Sequence, residues 1–266
     1  GALLRTIANP DPDDLYTFGH SIALAGNLLA IGGIGRGEPN YNDGEGPPPV
    51  GPFSDLSGRA YLYDASTGEL IYSFETGQSQ GSPYPFVHDN FGAAVAVSED
   101  YVVVGAPGSY IDDFVSDVEP PVPFQDPGRV YVFSVATGDL VRVIQNPQPT
   151  VGEGFGLQVS LAGDRLLIAS PSDDADGDMS GAAYLFDVAT GDLLTTFVNP
   201  DAGPGEQFGS FAAIAGDRVV IGGPVYVQLD PTHETYIYDA GTGALLRTIV
   251  EETSSVYATA TTSGSH

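Results

Sequence analysis

The densest set of chemistry-bearing side chains lies in one stretch, Asp173-Asp174-Ala175-Asp176-Gly177-Asp178. The carboxylates of Asp173, Asp174, Asp176 and Asp178 are the hard oxygen donors that calcium takes, and Gly177 permits a sharp turn. No Glu follows at the spacing of a complete EF-hand loop. The stretch therefore reads either as a cation loop, with Ca2+ as its expected cofactor, or as a solvated acidic turn. A second set is aromatic: Tyr41, Phe53, Tyr84, Phe86, Phe114, Phe124 and Tyr226 stand among Asp43, Asp112, Asp113, Asp117, Glu119 and Asp230. Aromatics interleaved with acids on loops have the composition of a binding surface, although any one of them could simply anchor its own loop. Catalytic constellations are not evident. His20, His88, His233 and His266 fall in no triad or metal spacing, and Ser170-Pro171-Ser172 lacks the Gly-x-Ser-x-Gly elbow. Carboxylate pairs of the kind a polysaccharide hydrolase uses are plentiful, but at this acidity chance pairs are expected and none stands out.

The elements that must position these groups repeat four times. The clearest unit runs FGLQVSLAGDRLLIASP from Phe155, then a loop, then GAAYLFDVATGDLLTTFVNP to Pro200. Phe18-Gly19, Phe91-Gly92 and Phe208-Gly209 open its counterparts, giving repeats at about 18–76, 91–147, 155–200 and 208–250. Each unit holds four short apolar segments, A to D, bounded by Gly, Pro, Asn or Asp. In the third they fall near 155–161, 165–170, 182–187 and 192–198. Short A–B turns (Ala25-Gly26-Asn27, Ala162-Gly163-Asp164, Ala215-Gly216-Asp217) and C–D turns at Thr67-Gly68, Thr137-Gly138, Thr190-Gly191 and Thr242-Gly243 carry the glycine that tight hairpins need. Asp64, Asp187 and Asp239 enter three of the C–D turns, where a carboxylate can satisfy turn amides. Such four-stranded units repeated about an axis predict an all-β fold, a β-propeller. The long insertions, including those that carry the aromatics, all fall between B and C or between D and the next A. Strand alternation sends those connections to one end of the blades.

Composition bounds the partners. The chain of 266 residues is 42% hydrophobic, enough for a core. It carries 35 acidic against 8 basic residues, a formal charge of −27, and all eight bases are arginine. That field repels nucleic-acid phosphates and anionic lipid, so neither nucleic acid nor membrane insertion is expected. High acidity suits solubility in a saline or calcium-rich exterior. No cysteine is present, which excludes disulfides and thiolate metal sites. The sole methionine, Met179, reads as a chain processed or excised from something longer.

Phe-Gly at the head of each repeat, Val-Gly-Ala-Pro at 104–107 and the Gly-x-x-Tyr-x-Phe-Asp run at 181–187 resemble the FG-GAP repeats of bacterial surface and secreted proteins, which are related in pattern to the integrin α propeller. The resemblance implies an extracellular or cell-surface propeller used for binding or assembly. It does not carry over the integrin calcium sites, which lie in A–B hairpins, because the A–B turns here are too short to wrap an ion.

The ends add a second signal: residues 1–7, GALLRTI, are identical to residues 243–249. Residues 1–8 are expected to be a stray outer strand of a propeller spanning 1–250, with 251–266 a Ser/Thr-rich tail. Leu3, Leu4 and Ile7, with Val256 and Tyr257 of the tail, are the expected assembly residues, since an unpaired strand can be exchanged with a neighbouring copy. The sequence thus favours a non-enzymatic structural or adhesive protein acting through protein contacts. A calcium-dependent ligand- or carbohydrate-binding module stands second, and a polysaccharide-active hydrolase third.

Overall fold

The computed structural model describes residues 3–11, 17–35, 58–76, 89–108, 127–149, 154–173, 180–200, 207–223 and 232–252. Their strands form four antiparallel four-stranded sheets, one per repeat, each in chain order. The first blade holds β1 (Ser21–Ala25), β2 (Leu28–Gly33), β3 (Arg59–Asp64) and β4 (Leu70–Phe74). The second holds β5 (Ala94–Val97), β6 (Tyr101–Ala106), β7 (Arg129–Ser134) and β8 (Leu140–Gln145). The third holds β9 (Gln158–Ala162), β10 (Arg165–Ser170), β11 (Ala182–Asp187) and β12 (Leu193–Val198). The fourth holds β13 (Phe211–Ala215), β14 (Arg218–Gly222), β15 (Thr232–Asp239) and β16 (Leu245–Glu252). β16 runs to Glu252, two residues into the stretch assigned to the tail, because Thr232 and His233 extend β15 and pair with Glu252 and Glu251.

Two local devices set the blade. Each Phe-Gly pair forms a turn rather than the start of strand A: Leu157 N–H donates to Gly154 O at 2.9 Å, and His20 N–H to Thr17 O at 3.0 Å. The A strands therefore begin after the pair, and His20 lies in the turn before β1. The C–D turns behave as their sequence demands. Asp64 accepts from the amides of Ser66 (2.8 Å) and Thr67 (2.9 Å), Asp187 from Thr190 (2.8 Å), and Asp239 from Gly241 (3.1 Å) and Thr242 (3.0 Å). Each C–D pairing then shifts register at the same place, Leu62/Tyr63, Val132/Phe133, Leu185/Phe186 and Ile237/Tyr238.

Consecutive blades stack with their A strands innermost, β1 against β5, β5 against β9 and β9 against β13. Each blade thus has an upstream face toward the preceding repeat and a downstream face toward the next. Three apolar clusters fill the junctions between blades, as stacked repeats require. Among the described residues β13 and β1 do not pack in the same way, so the four blades form an arc with two open ends. Leu3–Ile7 joins no ladder among the described residues.

Candidate functional site

The inner junctions define what a completed blade face looks like. The motif phenylalanine leans edge-on against two aromatic residues of its own C strand: Phe91 lies 5.4 Å from Tyr131 and 6.2 Å from Phe133, and Phe155 lies 5.8 Å from Tyr184 and 6.3 Å from Phe186. The outer strand of the preceding blade closes over this group, with Phe74 4.5 Å from Phe133 and Phe197 4.9 Å from Tyr238. The glycine of the motif permits the close approach. Gly92 has φ +90°, and a Cβ there would stand 2.5 Å from Arg59 O of the first blade.

At the two ends the same positions are uncovered. Val95 and Val97, on the upstream face of the second blade, are 7% and 8% exposed, whereas their counterparts Ile22 and Leu24 on the first are 68% and 66% exposed. Downstream, Phe74, Ile144 and Phe197 are buried beneath the next blade, while Ile249 is 48% exposed and is accompanied by Phe211 at 60%. Val220 of β14 is also open, although sequence patterning would bury strand B on both faces. Apolar patches at both ends of one molecule are unusual for a surface that stays bare.

The upstream face of the first blade is half covered. Ile7 and Phe18 pack against Ile31, Tyr61 and Tyr63, Arg5 donates to Ser66 O at 2.9 Å, and Tyr61 donates to Asp11 Oδ2 at 3.1 Å. Burial, followed by the hydrogen bond to Asp11 and its negative charge, pushes the Tyr61 hydroxyl above the ordinary tyrosine range. Burial and the Asp11 charge raise Tyr63 as well. Leu3 and Leu4 are exposed.

Asp173 is buried, and its Oδ2 accepts from Tyr184 Oη at 2.6 Å. Its carbonyl receives Gly181 N–H at 2.9 Å, tying the two ends of the acidic stretch together. Asp174, Asp176 and Asp178 lie outside the described residues, as do Tyr41, Phe53, Tyr84, Phe86, Phe114, Phe124, Tyr226, Val256 and Tyr257. Among the described residues no three His, Asp or Glu side chains converge as a metal site, and no helix is long and apolar enough to cross a membrane.

Sequence reasoning did not find Ile22, Leu24 and Val220, because their counterparts in the inner blades have the same apolar character; Phe211 does stand out, since Ser21, Ala94 and Gln158 hold its place in the other blades. The repeated GALLRTI was the other available signal: it pairs Arg5 with Arg247 and Ile7 with Ile249.

Two of the four repeats match the FG-GAP repeat family, over residues 87–133 and 149–186, in each case ending within the third strand of the blade. No curated protein matches the chain in sequence. Among solved structures, the hydrazine synthase of Kuenenia stuttgartiensis superposes with a TM-score of 0.48 at 13% identity, covering 95% of this chain. The chain spans 53% of the length of that structure.

Proposed function

We propose that this FG-GAP β-propeller is a non-enzymatic extracellular module, structural or adhesive, that works through protein–protein contacts. The observation that supports this reading best is the pair of apolar end faces, Ile22 and Leu24 upstream and Phe211 and Ile249 downstream: Val95 and Val97, the counterparts of Ile22 and Leu24 in the second blade, and Phe74, Ile144 and Phe197, the counterparts of Ile249, are buried against a neighbouring blade. FG-GAP repeats typically occur in extracellular or surface proteins, and their propellers generally mediate protein contacts. The formal charge of −27 disfavours nucleic acid and anionic lipid as partners. In the calcium-dependent alternative, Asp173 would be shared with Tyr184, leaving Asp174, Asp176 and Asp178 as the donors of the 173–178 loop.

The test places a photo-crosslinking residue at position 22 and, separately, at 211, in cells that make the protein. Specific protein adducts at both positions, lost when Leu24→Asp is added to the first, are the expected result. Protease treatment of intact cells should remove the protein. A protein that is shielded inside the cell, or that crosslinks to nothing from either position, would rule the reading out.

A further inference from the structure

We infer that the upstream face of the first blade is a seat for the fourth blade of a second copy of this chain, whose outer strand displaces Leu3–Ile7 and joins two arcs head to tail. The inference rests on the protein-contact reading above and names the partner.

The segment Leu3–Ile7 occupies the seat through Arg5 and Ile7. Arg5 donates to Ser66 O and lies over Gly68. At the inner junctions that place belongs to the outer strand of the preceding blade. Tyr72 donates to Ala136 O at 3.2 Å and covers Gly138, Arg142 donates to Ala189 O and covers Gly191, and Thr195 covers Gly243. Leu3–Ile7 therefore sits where an outer strand belongs. The sequence identical to it, in β16, stands at the other end of the arc, where among the described residues no blade packs on Arg247 and Ile249.

Three observations favour β16 of another copy over the segment as the permanent occupant. First, Leu3–Ile7 is in no ladder among the described residues, whereas β16 is paired with β15 from Leu245 to Glu252. Exchange keeps every ladder bond and replaces the seat's contacts with the same side chains. Second, Tyr63 Oη is buried without a partner among the described residues, while its counterpart Tyr238 donates to Val198 O of the preceding outer strand at 3.4 Å. In register, Val250 supplies that carbonyl from an incoming β16. Third, Leu3–Ile7 leaves Ile22 and Leu24 exposed, but a whole blade brings Val220 to them, as Ala30 meets Val95 and Val97 at the first junction, and Phe211 to Gly19, as Ser21 meets Gly92.

The junction between copies differs from the inner ones at one corner. A Cβ on Gly58 would stand 1.7 Å from Phe91 O, and Gly128 and Gly181 hold the same place in the next two blades, whereas His233 holds it in the fourth. The contact between copies therefore opens at that edge and relies on the outer strand and the inner apolar residues. Like charge on the two arcs opposes the contact, so salt strengthens it. Because two different faces meet, the contact is heterologous.

Sedimentation of the 266-residue chain, across protein concentration at low and high salt, tests the inference. The expected result is a mass above that of the monomer that grows with both. Deleting residues 1–8 removes a competitor tethered at about millimolar effective concentration and tightens association by about tenfold or more. Leu24→Asp and Phe211→Asp each give folded monomers by circular dichroism. Mixing them restores dimers, since one intact upstream face then meets one intact downstream face. A chain that stays monomeric with and without residues 1–8 overturns the inference. So does a loss of association on deleting them, or a loss with Phe211→Asp while Leu24→Asp still associates. The protein-contact reading survives any of these results if position 22 crosslinks to a different protein, and falls with the inference if it crosslinks to none.

Discussion

The junction between the first and second blades and the half-covered upstream face of the first blade are built from equivalent positions of one repeat, yet only the junction is filled along its whole length. Val95 and Val97 disappear beneath Ala30, Leu62 and Phe74, while Ile22 and Leu24 face outward from the same strand positions. In such arrays stability is mostly a sum of nearest-neighbour terms, and a blade gains its share only where a neighbour exists. The difference teaches that the apolar pattern of a repeat records the neighbour it expects, not the one it has. The fourth blade shows the same in reverse: its upstream half, Phe208 with Tyr236 and Tyr238, is as closely packed as any, and its downstream half is open.

The sharpest way to break this comparison is to delete matched side chains at both places. Phe91→Ala leaves a cavity inside a filled junction and should cost about 3–5 kcal/mol. Ile22→Ala, at concentrations where the chain is monomeric, should cost little, because the side chain is mostly in water already. Urea unfolding monitored by circular dichroism decides, and equal losses at the two positions would mean that the upstream face is covered in the isolated chain. A smaller effect is expected from Asp173. Replacing it with Ala leaves Tyr184 Oη buried without its acceptor, a loss of about 1–3 kcal/mol. That loss should be the same with and without calcium. A loss that appears only when calcium is present would move Asp173 from the blade to the cation.

Most of the architecture could be read from the chain. Gly26, Gly163 and Gly216 sit at positive φ in the A–B turns, and Asp64, Asp187 and Asp239 cap the C–D turns as their spacing suggested. These features were legible because they depend on neighbours within a few residues. The openness of the ends was not, because Ile22 and Val95 are chemically alike and the repeated GALLRTI does not say how much of a blade face it covers. Arg5 could be aligned with Arg247, but its seat over Gly68 became visible only when the blades were stacked. The Phe-Gly turn was misplaced by about three residues in the third repeat, since an apolar Phe beside a Leu reads as strand until the backbone of Gly156 is seen at φ +96°.

The smallest effect concerns the turns, which should be blind to the difference between junctions and ends. The Ser66 hydroxyl, with the Thr67 amide next, holds Asp64 below its ordinary carboxylate value. The Thr242 hydroxyl and then its amide do the same for Asp239. Both groups have a depressed folded value, so each contributes stability that is present above the unfolded aspartate range, near pH 4, and is lost as pH falls through the folded value. Acid has a second and opposite action here, because protonating some of the 35 acidic residues relieves the self-repulsion of a chain at −27. The wild-type curve mixes the two, so a difference is needed. Asn at positions 64 and 239 keeps an acceptor oxygen in each turn but cannot titrate. Between pH 5 and pH 3 the Asp64→Asn, Asp239→Asn protein should therefore lose less melting temperature than wild type, by a margin independent of protein concentration. A margin that grew with concentration would tie the turns to the contact between copies, and parallel curves would mean that the two carboxylates titrate alike in the folded and unfolded chain.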